Sequence, residues 1–230
     1  LTDLLRELIE VAGTRHVLVE PAAQQRFLRD FSWYSPVLAD AFVDTRIDAV
    51  VQPGTLDELE AAVALGVRHR VPITVRGAGT GNYGQSVPLY GGILFDMRRL
   101  NRIAAHGEDT IEVEAGAVWG QVDVAARKTG RELRIMPTTY HVATVAGFLA
   151  GGSGGLGAVT YGRTWDNYNF PSVDLLTADE TATTCGSCCT RMAPLGSSRG
   201  CGCRWCPRTI GKAGLPPSTA STRATNSAGT

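Results

Sequence analysis

The final fifty residues, 181–230, contain no aspartate or glutamate and no valine, phenylalanine or tyrosine, and residues 1–180 contain no cysteine. Each absence excludes something. Met192, Leu195, Trp205, Ile210 and Leu215 are the only large apolar side chains of the tail. They are too few to offset the entropy of ordering fifty residues, so no core is expected there. A cysteine-free first part rules out a disulfide framework for it and fits a cytoplasmic setting. No apolar run reaches the ~18 residues that a membrane span requires. Asp3, Arg6, Glu7 and Glu10 interrupt the first turns, which excludes a signal peptide. Because the sequence opens on Leu1, a start upstream of it is expected.

Formal charge is zero, with 22 basic and 22 acidic residues, which argues against a dedicated nucleic-acid or polyanion binder. That balance is uneven along the chain. Residues 1–180 hold all 22 acidic and sixteen basic residues, a net −6, and the tail carries +6. With 43% hydrophobic and 19% charged residues overall, wholesale disorder is excluded and the folded part is placed in 1–180.

Along those 180 residues the pattern is α+β. Leu1, Leu4, Leu5, Leu8 and Ile9 recur at helical spacing before Gly13, and Pro21 opens a second short helix. Residues 31–45 read as irregular, with Phe31, Trp33 and Tyr34 expected to pack on the domain. Residues 47–51 form a strand. Thr55, with Glu58 three residues on, caps a helix whose stripe is Leu56, Leu59, Ala62, Val63 and Val67. Strands at 71–75 and 93–96 follow, so 47–75 is a βαβ unit. A second region has a strand at 110–115, a helix at 118–128, a short strand at 133–135, an apolar helix at 142–149 and a strand at 173–177.

Two glycine-rich segments stand out. Gly79-Thr-Gly-Asn-Tyr-Gly84 satisfies G-x-G-x-x-G, which marks a Rossmann site only where a helix opens at the loop. Gln85-Ser-Val-Pro88 and then Gly91-Gly92 cannot propagate a helix, so that reading is rejected. The loop can still converge its amides into a nest for a phosphate, and Arg76 at the strand end offers a cation. A mobile glycine turn is the plainer alternative. The second segment runs from Thr144 through Gly151-Gly-Ser-Gly154 to Tyr161-Gly162. It is either a tightly packed small-residue helix or the wall of a site for a long planar ligand.

The order and spacing of these pieces carry a resemblance. They are Val50-Val-Gln-Pro53, the Thr55 helix, Val71-Pro-Ile-Thr-Val-Arg-Gly-Ala-Gly-Thr-Gly81, Gly92-Ile-Leu-Phe-Asp-Met97, Glu114-Ala-Gly116, Pro137, Thr144-Val-Ala-Gly147 and Tyr161-Gly162. Residues 47–167 resemble the FAD-binding domain of the vanillyl-alcohol oxidase and p-cresol methylhydroxylase superfamily. They are most similar to its glycolate-oxidase and D-lactate-dehydrogenase-like branch. The resemblance implies two α/β subdomains of the PCMH-type fold, about 47–100 and 101–180, with FAD between them. Residues 1–46 would be a helical and irregular lead-in.

The resemblance also implies the cofactor contacts. Arg76, Gly77, Ala78, Gly79, Thr80, Gly81, Asn82, Gly84 and Gln85 would hold the pyrophosphate. Pro137, Thr144, Val145, Ala146, Gly147, Gly151, Gly152, Ser153, Gly154, Tyr161 and Gly162 would lie along the rest of the flavin. The histidine that attaches flavin in part of the family has no counterpart in Gly79–Asn82, so FAD is expected to be non-covalent. His141 is a weak further candidate, and His69 and His106 read as solvated. The implied reaction moves a hydride from an α-hydroxy acid or alcohol, a small-molecule substrate, to the isoalloxazine N5, with an unidentified electron acceptor. Catalytic residues stay unassigned.

Cys185-x-x-Cys188 and Cys203-x-x-Cys206, fourteen residues apart, leave open a zinc-binding interaction module as the alternative function. The loss of acidic residues after the family pattern stops at 168–179 points instead to a disordered or out-of-frame tail. Relatives are expected to continue into a substrate domain, so the chain is expected not to sustain turnover alone.

Overall fold

The computed structural model describes residues 1–42, 44–106, 110–166, 169–171, 173–176, 182–185 and 211–214. Helical spacing of Leu4, Leu8 and Ala12 puts them on one buried face of α1 (Thr2–Ala12), and Gly13 ends the helix at a φ of 81°. A two-residue strand, β1 (Val17–Leu18), precedes α2 (Pro21–Gln24), which begins on Pro21 where no N–H is needed. The stretch expected to be irregular contains a short helix, α3 (Pro36–Ala41). Its aromatic cluster does not pack as a unit. Tyr34 stacks at 4.6 Å on Phe42, whereas Phe31 and Trp33 are 66% and 85% exposed.

β2 (Ala49–Val51) leads into α4 (Leu56–Arg68). Thr55 caps this helix as its sequence predicts, its Oγ1 accepting from Glu58 N–H at 3.1 Å. The Glu58 carboxylate accepts the Gly54 N–H at 2.7 Å, one residue earlier than in a capping box. Leu59, Ala62, Val63, Leu65 and Gly66 are the buried face, and Val67 points outward. β3 (Ile73–Arg76) and β4 (Ile93–Asp96) complete a four-stranded sheet ordered β1-β2-β4-β3. β4 is parallel to both β2 and β3, so it lies between the two strands of the βαβ unit. All four β4 residues are buried, the pattern of a central parallel strand covered on both faces. The core of this half joins Leu4 and Leu8 to Leu59, Val63, Ile93 and Phe95. The N-terminal helix is thus packed into the same body as β2 to β4.

The second half is built on β5 (Ile103–His106) and β6 (Thr110–Val113), an antiparallel pair. α5 (Trp119–Lys128), α6 (Val145–Ala150) and α7 (Ala158–Tyr161) follow. Trp119 is buried and meets Phe148 and Phe170 edge-on at 5.3 and 6.2 Å. The strand expected at 133–135 does not form. Leu133 and Ile135 are buried in the core, and beside them the backbone makes the isolated bridge Met136 to Leu156. β7 (Val173–Leu176) pairs antiparallel with β8 (Ala182–Cys185), and β9 (Gly211–Gly214) pairs antiparallel with β6. Two tail segments therefore carry strand pairing. Both CxxC pairs reach residues outside those described, and the zinc alternative lies there with them.

Candidate functional site

Parallel strands direct ligands to their C-terminal ends, and β3 ends at Arg76. The chain then runs to Ile93 with neither helix nor strand, as Pro88 and the Gly91–Gly92 pair require. Gly79, at a φ of +72°, holds a turn that a side chain would strain. Its carbonyl accepts the Phe31 N–H at 3.2 Å, and Ser32 Oγ accepts the Gly84 N–H at 2.6 Å. The loop is therefore fixed along its outer edge by residues 31 and 32. The N–H groups of Ala78, Gly79, Thr80, Gly81 and Asn82 make no hydrogen bond to the protein among the described residues. A run of five free donors on a glycine backbone is the chemistry of an anion nest.

α6 forms the facing wall. Thr144 Oγ1 caps it through the Gly147 N–H at 3.3 Å. Val145 N–H donates to Ala117 O at 2.8 Å, and Ala146 N–H to Ala115 O at 3.2 Å. The first donors of α6 are thus spent inside the protein, and this wall offers shape rather than hydrogen bonds. The two segments touch at the floor. A Cβ on Gly77 would come within 2.1 Å of Thr144 Oγ1, so only glycine allows this approach.

Between them lies a cleft of about 640 Å³. Of the residues expected to bind, Gly77, Ala78, Gly79, Thr80, Gly81, Asn82 and Gln85 line it from the first loop. Pro137, Thr144, Ala146, Gly147, Gly151 and Ser153 line it from the second region. The other seven do not line it. Val145 is buried in the second core, and Tyr161 packs against that core. Gly84, Gly152, Gly154 and Gly162 lie outside the lining, Gly84 against Tyr34. Arg76 is turned away from the cleft. The residue is 7% exposed, and its guanidinium donates to Phe27 O, Arg26 O and Ser86 Oγ, each at 3.4 Å. Burial pulls its pKa below the usual arginine value, partly countered by Asp30 and Asp96.

Sequence reasoning missed several wall residues. Thr138 and Thr139 continue the Pro137 turn, and Phe148 and Gly155 extend the second segment, so adjacency to the motifs could have found them. Phe31 reaches the cleft from far upstream and carries no sequence signal for it. His141 stacks on Tyr140 at 3.8 Å and is not part of the lining. His69 is not a free solvated residue, since its Nε2 lies 3.4 Å from the Glu7 carboxylate.

Comparison with known proteins gives the family and the fold. Over 166 residues the chain is 31% identical to the glycolate oxidase subunit GlcD of Bacillus subtilis, covering 71% of this chain and 34% of that protein. Over 167 residues it is 29% identical to the D-lactate dehydrogenase of Archaeoglobus fulgidus, covering 72% and 34%. The chain thus spans about a third of the length of the curated relatives it matches. Among solved structures, p-cresol methylhydroxylase with substrate bound superposes with a TM-score of 0.68 at 15% identity. That match covers 94% of this chain and 43% of that one, and it shows the shared PCMH-type α+β fold. A family described as FAD binding domain matches residues 47–186, more than half of the chain. By that match the chain belongs to the FAD binding domain family, and its cofactor is FAD.

Proposed function

We propose that FAD lies in the cleft between the Gly77–Gln85 loop and α6, and that the chain is the flavin-holding part of an oxidoreductase acting on α-hydroxy acids. The observation that carries the placement is the run of five unpaired N–H groups at the cleft wall. Such donors suit a diphosphate, which needs many hydrogen bonds and little side-chain bulk. The residues present fit the group in two further respects. The cleft volume falls within the range of small-molecule sites, roughly 300–1,000 Å³. The facing wall of Ala146, Gly147, Gly151 and Ser153 leaves room for flat rings. When bound, FAD supplies a two-electron acceptor for the carbon that bears the substrate hydroxyl.

The chain's own contribution is to bind and orient. Loop amides hold negative charge, the Gly77–Thr144 contact sets how closely the two walls approach, and Phe148 and Ala115 keep the floor apolar. Attachment is non-covalent on this reading, because the loop carries Thr80, Gly81 and Asn82 where a linking histidine would stand. The substrate class rests on the relatives named for glycolate and D-lactate. An electron acceptor distinct from the substrate completes the cycle.

Equilibrium dialysis of the purified chain tests the cofactor placement. One FAD per chain, displaced by ADP, is expected, and FAD binding that ADP cannot displace would remove the diphosphate from the loop. The half-reaction tests the substrate class. Excess glycolate or D-lactate, added without oxygen to a protein in which this chain is continued by a substrate domain, should bleach the bound flavin, whereas acetate should not. Bleaching by simple alcohols but by no hydroxy acid would overturn the substrate assignment.

A further inference from the structure

We propose that Arg76 is a positioning residue for the first glycine loop: its buried guanidinium props Gly79 from behind and holds the free N–H groups in register without touching the ligand. This rests on the placement of FAD at that loop. Four observations support it. First, the guanidinium is not part of the cleft lining, whereas Gly77 to Asn82 are, so the loop backbone lies between the charge and the cleft. Second, a Cβ on Gly79 would meet Arg76 Nη2, Cζ and Nε at 2.1, 2.4 and 2.7 Å, so the flat group packs directly against the middle of the loop.

Third, its hydrogen bonds join separate segments. Arg26 O and Phe27 O belong to the N-terminal lead-in and Ser86 Oγ to the end of the loop. The Phe27 ring lies 5.8 Å from the guanidinium carbon. Loop middle, loop end and lead-in are thereby fastened by one side chain.

Fourth, among the described residues no carboxylate comes within 4 Å of Arg76. Asp96, its register partner across β3 and β4, is already held by Arg98 at 2.7 and 2.8 Å and by Gln52 at 2.8 Å. A buried cation without a paired anion is costly. Asp30 and Asp96 favour the charged guanidinium only from beyond ion-pair distance, and a diphosphate on the far face of the loop adds negative charge through the backbone. Loop shape and anion binding are therefore coupled through this residue.

The experiment compares the full chain with Arg76→Gln and Arg76→Lys for binding of FAD, ADP and adenosine. Wild type should prefer ADP to adenosine. Arg76→Gln should weaken FAD and ADP about ten- to hundredfold and leave adenosine nearly unchanged. Arg76→Lys keeps the charge but loses the planar fork, so it should recover part of the loss. A purely structural role would weaken ADP and adenosine alike, and that result overturns the proposal. So does FAD affinity within twofold of wild type in Arg76→Gln. If wild type itself binds neither FAD nor ADP, the placement of FAD has failed instead. Should Arg76→Gln not fold, Ser86→Ala removes the loop-end acceptor, a hydroxyl of a residue that also lines the cleft, and Ser86→Thr, which keeps the acceptor, is its control. Ser86→Ala should cost about two- to fivefold in ADP affinity with adenosine unchanged, and equal affinity for both ligands relative to wild type overturns the proposal.

Discussion

Gly77→Ala adds one methyl group at the narrowest contact between the two walls. The new Cβ would lie 2.1 Å from Thr144 Oγ1 and 3.2 and 3.3 Å from its Cβ and Cγ2. Thr144 is 2% exposed and branched at Cβ, so it has few ways to yield. Rotating its hydroxyl away removes the cap on Gly147, worth about 1 kcal/mol. Pushing the segments apart instead costs an overpacking penalty of about 1–3 kcal/mol. By either route a loss of about 1–3 kcal/mol should lower the melting temperature by roughly 2–12 °C for a domain of this size. FAD affinity should fall as well, since the same contact sets the width of the cleft. Differential scanning calorimetry and flavin titration read the two effects. The double variant Gly77→Ala with Thr144→Ala is the control. It loses the cap but relieves the clash, so it should recover part of both losses, with a coupling of about 0.5–3 kcal/mol. A single variant as stable and as tight-binding as wild type would refute the steric reasoning, and so would strict additivity in the cycle.

Other consequences are more local. Gly116→Ala places a Cβ 1.9 Å from the main-chain oxygen of Met97. Backbone cannot yield as a side chain does, so a loss of at least about 1–3 kcal/mol is expected in urea unfolding. Leu59→Ala, at a wholly buried position of the first core, should cost about 2–5 kcal/mol in the same assay. Thr55→Ala removes the cap of α4 and should cost about 0.5–2 kcal/mol without changing flavin affinity. Acid precipitation of the FAD-loaded chain should leave the yellow colour in the supernatant, whereas colour retained in the pellet would contradict non-covalent attachment.

Much of the site was legible because its residues are marked by local rules. A strand end, a run of glycines and a proline that forbids a following helix place the first loop before any tertiary contact is known. Thr144 ahead of a small-residue helix marks the second wall in the same way. What could not be read depends on contacts distant in sequence. Arg76 looked like a ligand-facing cation, yet the oxygens that claim it sit at Arg26 and Phe27, about fifty residues earlier. Phe31 reaches the cleft from the same segment. β5, with Ile-Ala-Ala-His, and β9, with Gly-Lys-Ala-Gly, have too little apolar alternation to announce strands, and pairing with β6 makes them so. Val67 fits a helical stripe on paper, but Leu65 and Gly66 are the buried residues there, and Gly66 faces Ile73 and Ile93.

Titration of the chain with FAD, set beside Gly79→Val, bears most directly on where the cofactor sits. A valine at a φ of +72° is strained, and its Cβ would strike the buried Arg76 guanidinium at 2.1 Å. Wild type should take up one FAD per chain, and Gly79→Val should take up none while its far-UV circular dichroism stays native. Equal flavin content in the two proteins would contradict the assignment of the cleft.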